Sequence, residues 1–91
     1  MQFQPEQKVT ISPDVLFQEV SGEMVLLDLS SESYFGLDEI GARIWQLLHD
    51  GASVGEVLYT LLQEYEVERG TLEADLGKLL GKLADAGLIE M

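Results

Sequence analysis

The chain has 91 residues, 46% of them hydrophobic, which suffices for one small domain with a single core but not for a deep catalytic pocket. Its 17 acidic residues against 5 basic ones give a net charge of −12, which argues against nucleic acid as a partner because phosphate binding relies on clustered Lys and Arg. With no cysteine, no signal-peptide pattern and no apolar run of membrane-spanning length, the sequence excludes disulfides and thiolate sites and predicts a cytoplasmic protein without a membrane partner.

The amino-terminal segment, residues 1–14, is predicted to be a separate arm. It is polar and contains both prolines of the chain, so we expect it to be loose or only partly ordered. Val9 and Ile11 have the alternation of a short strand. The sequence thus predicts two parts, an N-terminal arm over 1–14 and one folded domain over 15–91.

Three strands are predicted next. Residues 15–20 and 23–29 are rich in β-branched, aromatic and aliphatic side chains, and Ser21-Gly22 between them has the chemistry of a tight hairpin turn. A polar reversal then leads into a short strand over 33–37. We expect these strands to form a small antiparallel sheet that needs a helical layer to cover one face.

Local signals mark where the first two helices begin. Asp38 can cap a first helix that runs to Asp50, and Gly51 suits the left-handed residue that closes it. Ser53 and Glu56 have the spacing of a capping box, which starts a second helix directly after a short connection. The two helices are therefore expected to form a helix-turn-helix.

A third helix is predicted from about residues 68–71 to Gly87, where the chain folds back in a Schellman-like closure. Gly77 and Gly81 lie in its middle, where each costs about 1 kcal/mol relative to alanine. Two explanations stay open, the close approach of a neighbouring element and room for a ligand segment beside the helix. The whole pattern predicts an α+β fold, a winged helix-turn-helix in which a three-stranded antiparallel sheet is followed by three helices.

Catalytic and metal-binding patterns are missing from the sequence. His49 is the only histidine, and it lies in the last turn of the first predicted helix, where it complements the helix dipole. The acidic residues Glu64, Glu66 and Glu68 fit a solvated charge run better than an acid-base or metal set. No phosphate loop or nucleophile-base pattern is present. We therefore predict a binding protein and not an enzyme, with no catalytic residue, no cofactor and no metal site.

Three segments of the chain resemble a known family. They are the second strand and reversal over 24–30, the strand-to-helix junction over 34–45, and the closing segment over 79–89, which ends in Ala-Gly-Leu-Ile. Their order and spacing are similar to those of the PqqD-like proteins, also called precursor-peptide recognition elements of ribosomally made, modified peptides (RiPPs). The resemblance covers most of the chain. The family often has Asn where this chain has Asp38, and either residue caps a helix.

The resemblance implies a binding site for the leader part of a precursor peptide. In this family the leader adds a strand antiparallel to the edge strand, here 33–37, and lies in the groove between that strand and the third helix. An exposed strand edge offers unpaired amides and carbonyls to such a partner. The predicted peptide-binding residues are Ser33, Tyr34, Phe35, Gly36, Leu72, Asp75, Leu76, Leu79 and Lys82. For the three leucines, plain core packing remains an equal alternative, and Asp75 and Lys82 are expected at the rim.

Alternation along the edge strand divides its side chains into two sets. If Phe35 and Leu37 point into the core, Tyr34 and Gly36 lie on the opposite face. Gly36 would then let a partner's backbone or a bulky side chain come close.

Within the family, the length and the N-terminal arm most resemble the small B1-type proteins of lasso-peptide pathways. Such a protein presents the leader to a separate leader peptidase, a cysteine protease, before a cyclase closes the ring. The alternative is the PqqD protein of pyrroloquinoline quinone (PQQ) biosynthesis, which presents a different precursor to a radical enzyme. A winged-helix transcription regulator is a remote alternative because the second predicted helix, 54–66, carries no Lys or Arg. A homodimer scaffold would use the same edge strand for self-pairing.

Overall fold

A computed structural model of the chain describes residues 4–90. The first three residues of the predicted arm and the last residue of the predicted domain lie outside the described residues. The strands are β1 (Thr10–Ile11), β2 (Val15–Val20), β3 (Glu23–Asp28), β4 (Ser33–Leu37) and β5 (Ile89–Glu90), and the helices are α1 (Glu39–His49), α2 (Val54–Glu64) and α3 (Arg69–Asp85).

The α+β fold predicted from the sequence is confirmed. Strands β2, β3 and β4 form a three-stranded antiparallel sheet in that order, and three helices follow it. The β2–β3 hairpin turns through Ser21 and Gly22, whose φ values of 54° and 83° give the twist that a two-residue hairpin needs. Helix α1 packs against β3 and β4, and α2 packs against both α1 and α3. The sheet is therefore the wing of a winged helix-turn-helix.

The core lies between the sheet and the helices. Trp45 of α1 and Leu26 of β3 have no exposed surface. The ring of Phe17 meets that of Trp45 edge-on, with centroids 6.1 Å apart. The buried residues of α3 are Leu72, Leu76, Leu80 and Leu83. Burial of these large apolar side chains is the main force that holds the helices against the sheet.

The helix ends form as the sequence predicts. At the start of α2, the amide of Ser53 donates to the carboxylate of Glu56 (2.9 Å), and the Glu56 amide donates to the Ser53 hydroxyl (3.2 Å). At the end of α3, Gly87 has a φ of 76°. Its amide and the next one donate to the carbonyls of Ala84 (3.0 Å) and Leu83 (2.9 Å), which is the Schellman pattern.

The N-terminal arm is held against the domain. Strand β1 pairs antiparallel with β5, so the short strand expected in the arm is present. The amides of Val54 and Gly55, in the first turn of α2, donate to the carbonyls of Gln7 (2.8 Å) and Pro5 (2.7 Å). Amides of a first helical turn have no partner within the helix, so the arm supplies it. The expectation of a loose arm is thus corrected for residues 4–14, while the boundary between arm and domain stays a prediction.

Gly77 and Gly81 of α3 do not mark a close approach of another element. A Cβ atom at either position would meet no heavy atom within 4 Å in the part of the chain that the structure describes. The explanation by a tightly packed neighbour is therefore wrong. Within that part of the chain, the two glycines lower helix stability without a packing benefit.

Alanine at Gly77 or Gly81 is expected to stabilise the fold. Each substitution improves helix propensity and fills open space, so the free energy of unfolding should rise by about 0.5–1 kcal/mol. Urea unfolding of the single variants measures this change. Gly87→Ala is the matched control and should destabilise, because alanine adopts a φ of 76° only with strain. A loss of stability in both α3 variants would contradict the presence of open space.

Gly55→Ala is expected to displace the arm from α2. A Cβ at this position would lie 2.8 Å from the carbonyl oxygen of Pro5 and 2.9 Å from its Cβ, too close for the contact to persist. Hydrogen exchange at the Val54 amide should therefore accelerate, while α2 stays helical because its capping box is untouched. Gly70→Ala is the control, since its nearest neighbour is the flexible carboxylate of Glu68. Unchanged exchange at Val54 in Gly55→Ala would show that the arm does not protect this helix end.

Candidate functional site

One edge of the three-stranded sheet is open. On one side β4 pairs with β3, in a register that runs from Met24 opposite Leu37 to Asp28 opposite Ser33. On its other side it pairs with no strand of residues 4–90. We call that side of β4 the open edge. Its backbone amides and carbonyls are available to an added strand.

A groove lies beside the open edge, between β4 and α3. Its volume is about 350 Å³. It is lined by Phe35, Gly36, Leu37, Asp38, Ile40, Gly41, Ile44, Asp75, Leu79 and Lys82. Most of this lining is apolar, and its ionisable side chains are those of Asp38, Asp75 and Lys82. An extended segment in the groove would therefore meet an unpaired backbone and an apolar wall together.

Five of the predicted site residues meet at this groove. Phe35 and Gly36 come from β4, and Asp75, Leu79 and Lys82 come from α3. The three α3 residues share one helix face because they lie at the spacing i, i+4 and i+7. Their position makes them available to a ligand, and contact with a peptide stays a prediction.

The other predicted site residues lie elsewhere. Ser33 is exposed at the start of β4, and Tyr34 is 74% exposed on the face of the sheet opposite the core. Leu72 and Leu76 are buried in the core, 4% and 0% exposed, and do not line the groove. The core-packing alternative therefore describes these two leucines. The apolar stripe of α3 wraps from the core face to the groove face because each residue turns the helix by about 100°.

Helix α1 contributes a part of the groove that was not predicted from the sequence. Ile40 and Ile44 line it, and Ile44 is also buried in the core. The sequence contains a signal for this contribution, because a helix that starts directly after the edge strand must place its first turn beside that strand. The junction is held by Asp38, whose carboxylate accepts from the amide of Gly41 at 2.8 Å.

The groove offers contacts suited to binding an extended chain. Asp75 and Lys82 place opposite charges on either side of the apolar Leu79 along one face of α3.

Within residues 4–90, no group of three or more His, Cys, Asp or Glu side chains is placed to hold a metal ion. None of the helices that the structure describes is long and apolar enough to cross a membrane.

Comparison with known proteins identifies the family. The model of the family described as coenzyme PQQ synthesis protein D (PqqD) matches residues 23–89. The chain belongs to the PqqD family. No match was found among curated proteins.

Two solved structures resemble this PqqD family member over most of its length. TbiB1 in complex with the TbiA(beta) leader peptide is 42% identical, with a TM-score of 0.84, and the match covers 89% of this chain and 94% of that one. A lasso peptide synthetase B1 complexed with the leader peptide is 34% identical, with a TM-score of 0.83, and the match covers 93% and 100% of the two chains. The family resemblance seen in the sequence is confirmed.

In this PqqD family member, Asp28 holds the reversal that leads into the open edge. Its carboxylate accepts from the amide and hydroxyl of Ser30 (3.1 and 2.9 Å) and from the hydroxyl of Ser31 (2.9 Å). These hydrogen bonds, that of the Ser31 side chain most of all, lower the pKa of Asp28 from its ordinary value of 3.8. The charged carboxylate thus orders the reversal between β3 and β4.

Asp28→Asn is expected to lower the free energy of unfolding at neutral pH and to have little effect in strong acid. Because folding lowers the pKa of Asp28, its ionised form stabilises the native state above the unfolded value of 3.8, and this contribution is lost as the pH falls through the lower folded pKa. Urea titrations at the two pH values measure the difference. Glu23→Gln is the control, because its exposed side chain makes no hydrogen bond within residues 4–90. An equal deficit at both pH values would contradict this role.

Proposed function

We propose that this protein binds the leader segment of a ribosomally made precursor peptide by β-strand addition and presents it to a separate processing enzyme in a lasso-peptide pathway. The observation that carries the proposal is the open edge beside an apolar groove, in a chain similar to two proteins that bind leader peptides. The leader extends the sheet as a further strand, antiparallel to β4.

Two kinds of contact contribute to recognition. Backbone hydrogen bonds along the open edge give affinity for any extended sequence. Side chains give selectivity, because a leader residue that points towards α3 meets the apolar surface of Phe35, Ile40 and Leu79. Leader residues on either side of that anchor come within reach of Asp75 or Lys82. Since the edge is already folded, the ordering entropy of binding falls mainly on the leader.

We assign the processing chemistry to separate proteins. A cysteine protease removes the leader, and a cyclase then closes the ring. This division is supported by the groove lining, which contains apolar side chains and a few ionisable ones but no nucleophile-base pair among the described residues. The absence of cysteine from the chain supports a cytoplasmic setting.

PQQ biosynthesis is the second candidate pathway, because the matching family model carries that description. In that case the same open edge would hold a different precursor for a radical enzyme. The genes beside this one separate the two candidates. A protease gene and an asparagine-synthetase-like cyclase gene indicate the lasso pathway, and a radical iron–sulfur enzyme gene indicates PQQ biosynthesis.

Fluorescence anisotropy with a labelled TbiA(beta) leader peptide tests the site. We expect binding in the submicromolar to micromolar range. Leu79→Asp places a charge at the apolar centre of the groove and should weaken binding by at least about tenfold. Tyr59→Asp is the matched control, because Tyr59 is 67% exposed on α2 and does not line the groove. Leu76 is unsuitable for this test because its substitution would disrupt the core.

A scan of N-methylated leader peptides tests strand addition itself. Only alternate amides of an added strand face its neighbour, so methylation should weaken binding at every second residue of the bound segment. Tolerance of methylation throughout the peptide would rule out strand addition, and full affinity in Leu79→Asp would rule out the groove as the side-chain site.

A further inference from the structure

Gly36, in the middle of β4, is not required by the fold itself. It does not have the positive φ that would demand glycine. A Cβ at this position would meet no heavy atom of residues 4–90 within 4 Å, so no close approach inside the described chain demands it either. Glycine inside a strand weakens the strand and often marks a place where another molecule comes close. The role of Gly36 therefore lies in contacts made at the open edge.

The surroundings of Gly36 on the outer face of the sheet are apolar. Pairing places Gly36 beside Val25 of β3, and the neighbouring row places Tyr34 beside Leu27. Val25 is 40% exposed and Tyr34 is 74% exposed. A depression of the outer face lies over β2 and β3, and its lining includes Val25, Leu27 and Tyr34. Gly36 is outside that lining, next to Val25 across the ladder and two residues from Tyr34 along β4. We call the gap over Gly36, between Val25 and Tyr34, the notch.

A strand added at the open edge must send alternate side chains to this face. The residue directly opposite Gly36 points outward with Gly36, since paired residues share a face of the sheet. With no side chain at Gly36, a large side chain from that residue can lie across the strand and reach Val25. Tyr34 is the diagonal neighbour of that residue, at a separation of about 7–8 Å that an aromatic ring can bridge.

We propose that the notch is a second side-chain subsite, which receives an aromatic residue of the leader strand on the face opposite the groove. This inference rests on the proposed function and extends it. The leader is then recognised from both faces, by the groove through one set of alternate residues and by the notch through the other. Aromatic side chains suit the notch because they cover a cross-strand glycine and pack edge-on or offset against Tyr34.

A second copy of this chain is a poorer occupant of the notch. Each copy carries a net charge of −12, so edge-to-edge pairing brings together two strongly acidic bodies. A leader peptide is not a second copy of this acidic domain, so this repulsion between two like-charged copies does not apply to it.

The test uses the TbiA(beta) leader peptide as the probe, with each residue replaced in turn by Ala and by Phe. At one position we expect Phe to bind about fivefold tighter than Ala to the parent protein, and we expect this preference to disappear in Gly36→Val. Gly36→Val should also weaken binding of the unmodified probe. The melting temperature of this variant protein should stay equal or rise, because the new side chain occupies open space. Glu23→Val is the control, because Glu23 is exposed on the same outer face of the sheet and lies in neither the notch nor the lining of the depression.

The outcomes separate the notch from the proposed function. If the parent binds the probe and no position shows a Phe preference that depends on Gly36, the notch is refuted while leader binding stands. If the parent does not bind the probe, the proposed function fails and the notch fails with it. Light scattering that finds a dimer in the parent but a monomer in Gly36→Val would assign the notch to self-pairing and overturn the proposal.

Discussion

The binding site depends on where the N-terminal arm makes its backbone hydrogen bonds. An unpaired strand edge pairs with any extended segment within reach, and the arm is tethered to the same sheet. Here the arm is engaged elsewhere, because β1 pairs with β5 and the amide of Ser12 donates to the carbonyl of Leu88 at 3.0 Å. The carbonyls of Gln7 and Pro5 meanwhile accept from the first turn of α2. With these bonds made, the arm does not compete with a guest strand for β4.

Features that depend on neighbouring residues could be predicted from the sequence. The capping box of Ser53 and Glu56, the left-handed ending at Gly87 and the hairpin turn through Ser21 and Gly22 each involve residues only a few positions apart. Such chemistry is readable without knowing the rest of the fold. The same holds for the strand-to-helix junction on which the family resemblance rests.

Features that depend on long-range packing could not be read in this way. Leu76 and Leu79 are chemically identical, yet one is in the core and the other lines the groove. The difference is the rotation of α3 against the sheet, which no local pattern encodes. The docking of the arm escaped prediction for a related reason, because the partners of the arm, β5 and the first turn of α2, are distant from it along the chain. The open space beside Gly77 is likewise a property of the assembled fold.

The buried tryptophan makes intrinsic fluorescence a reporter of the protein core. Trp45 is the only tryptophan of the chain, has no exposed surface and offers an indole N–H that finds no hydrogen-bond partner within residues 4–90. An indole in such apolar surroundings emits at short wavelength, and exposure to water on unfolding shifts the emission to the red. Because Trp45 does not line the groove, we expect a guest on β4 to leave its environment unchanged. Intrinsic fluorescence should then report the integrity of the core and not the occupancy of the groove.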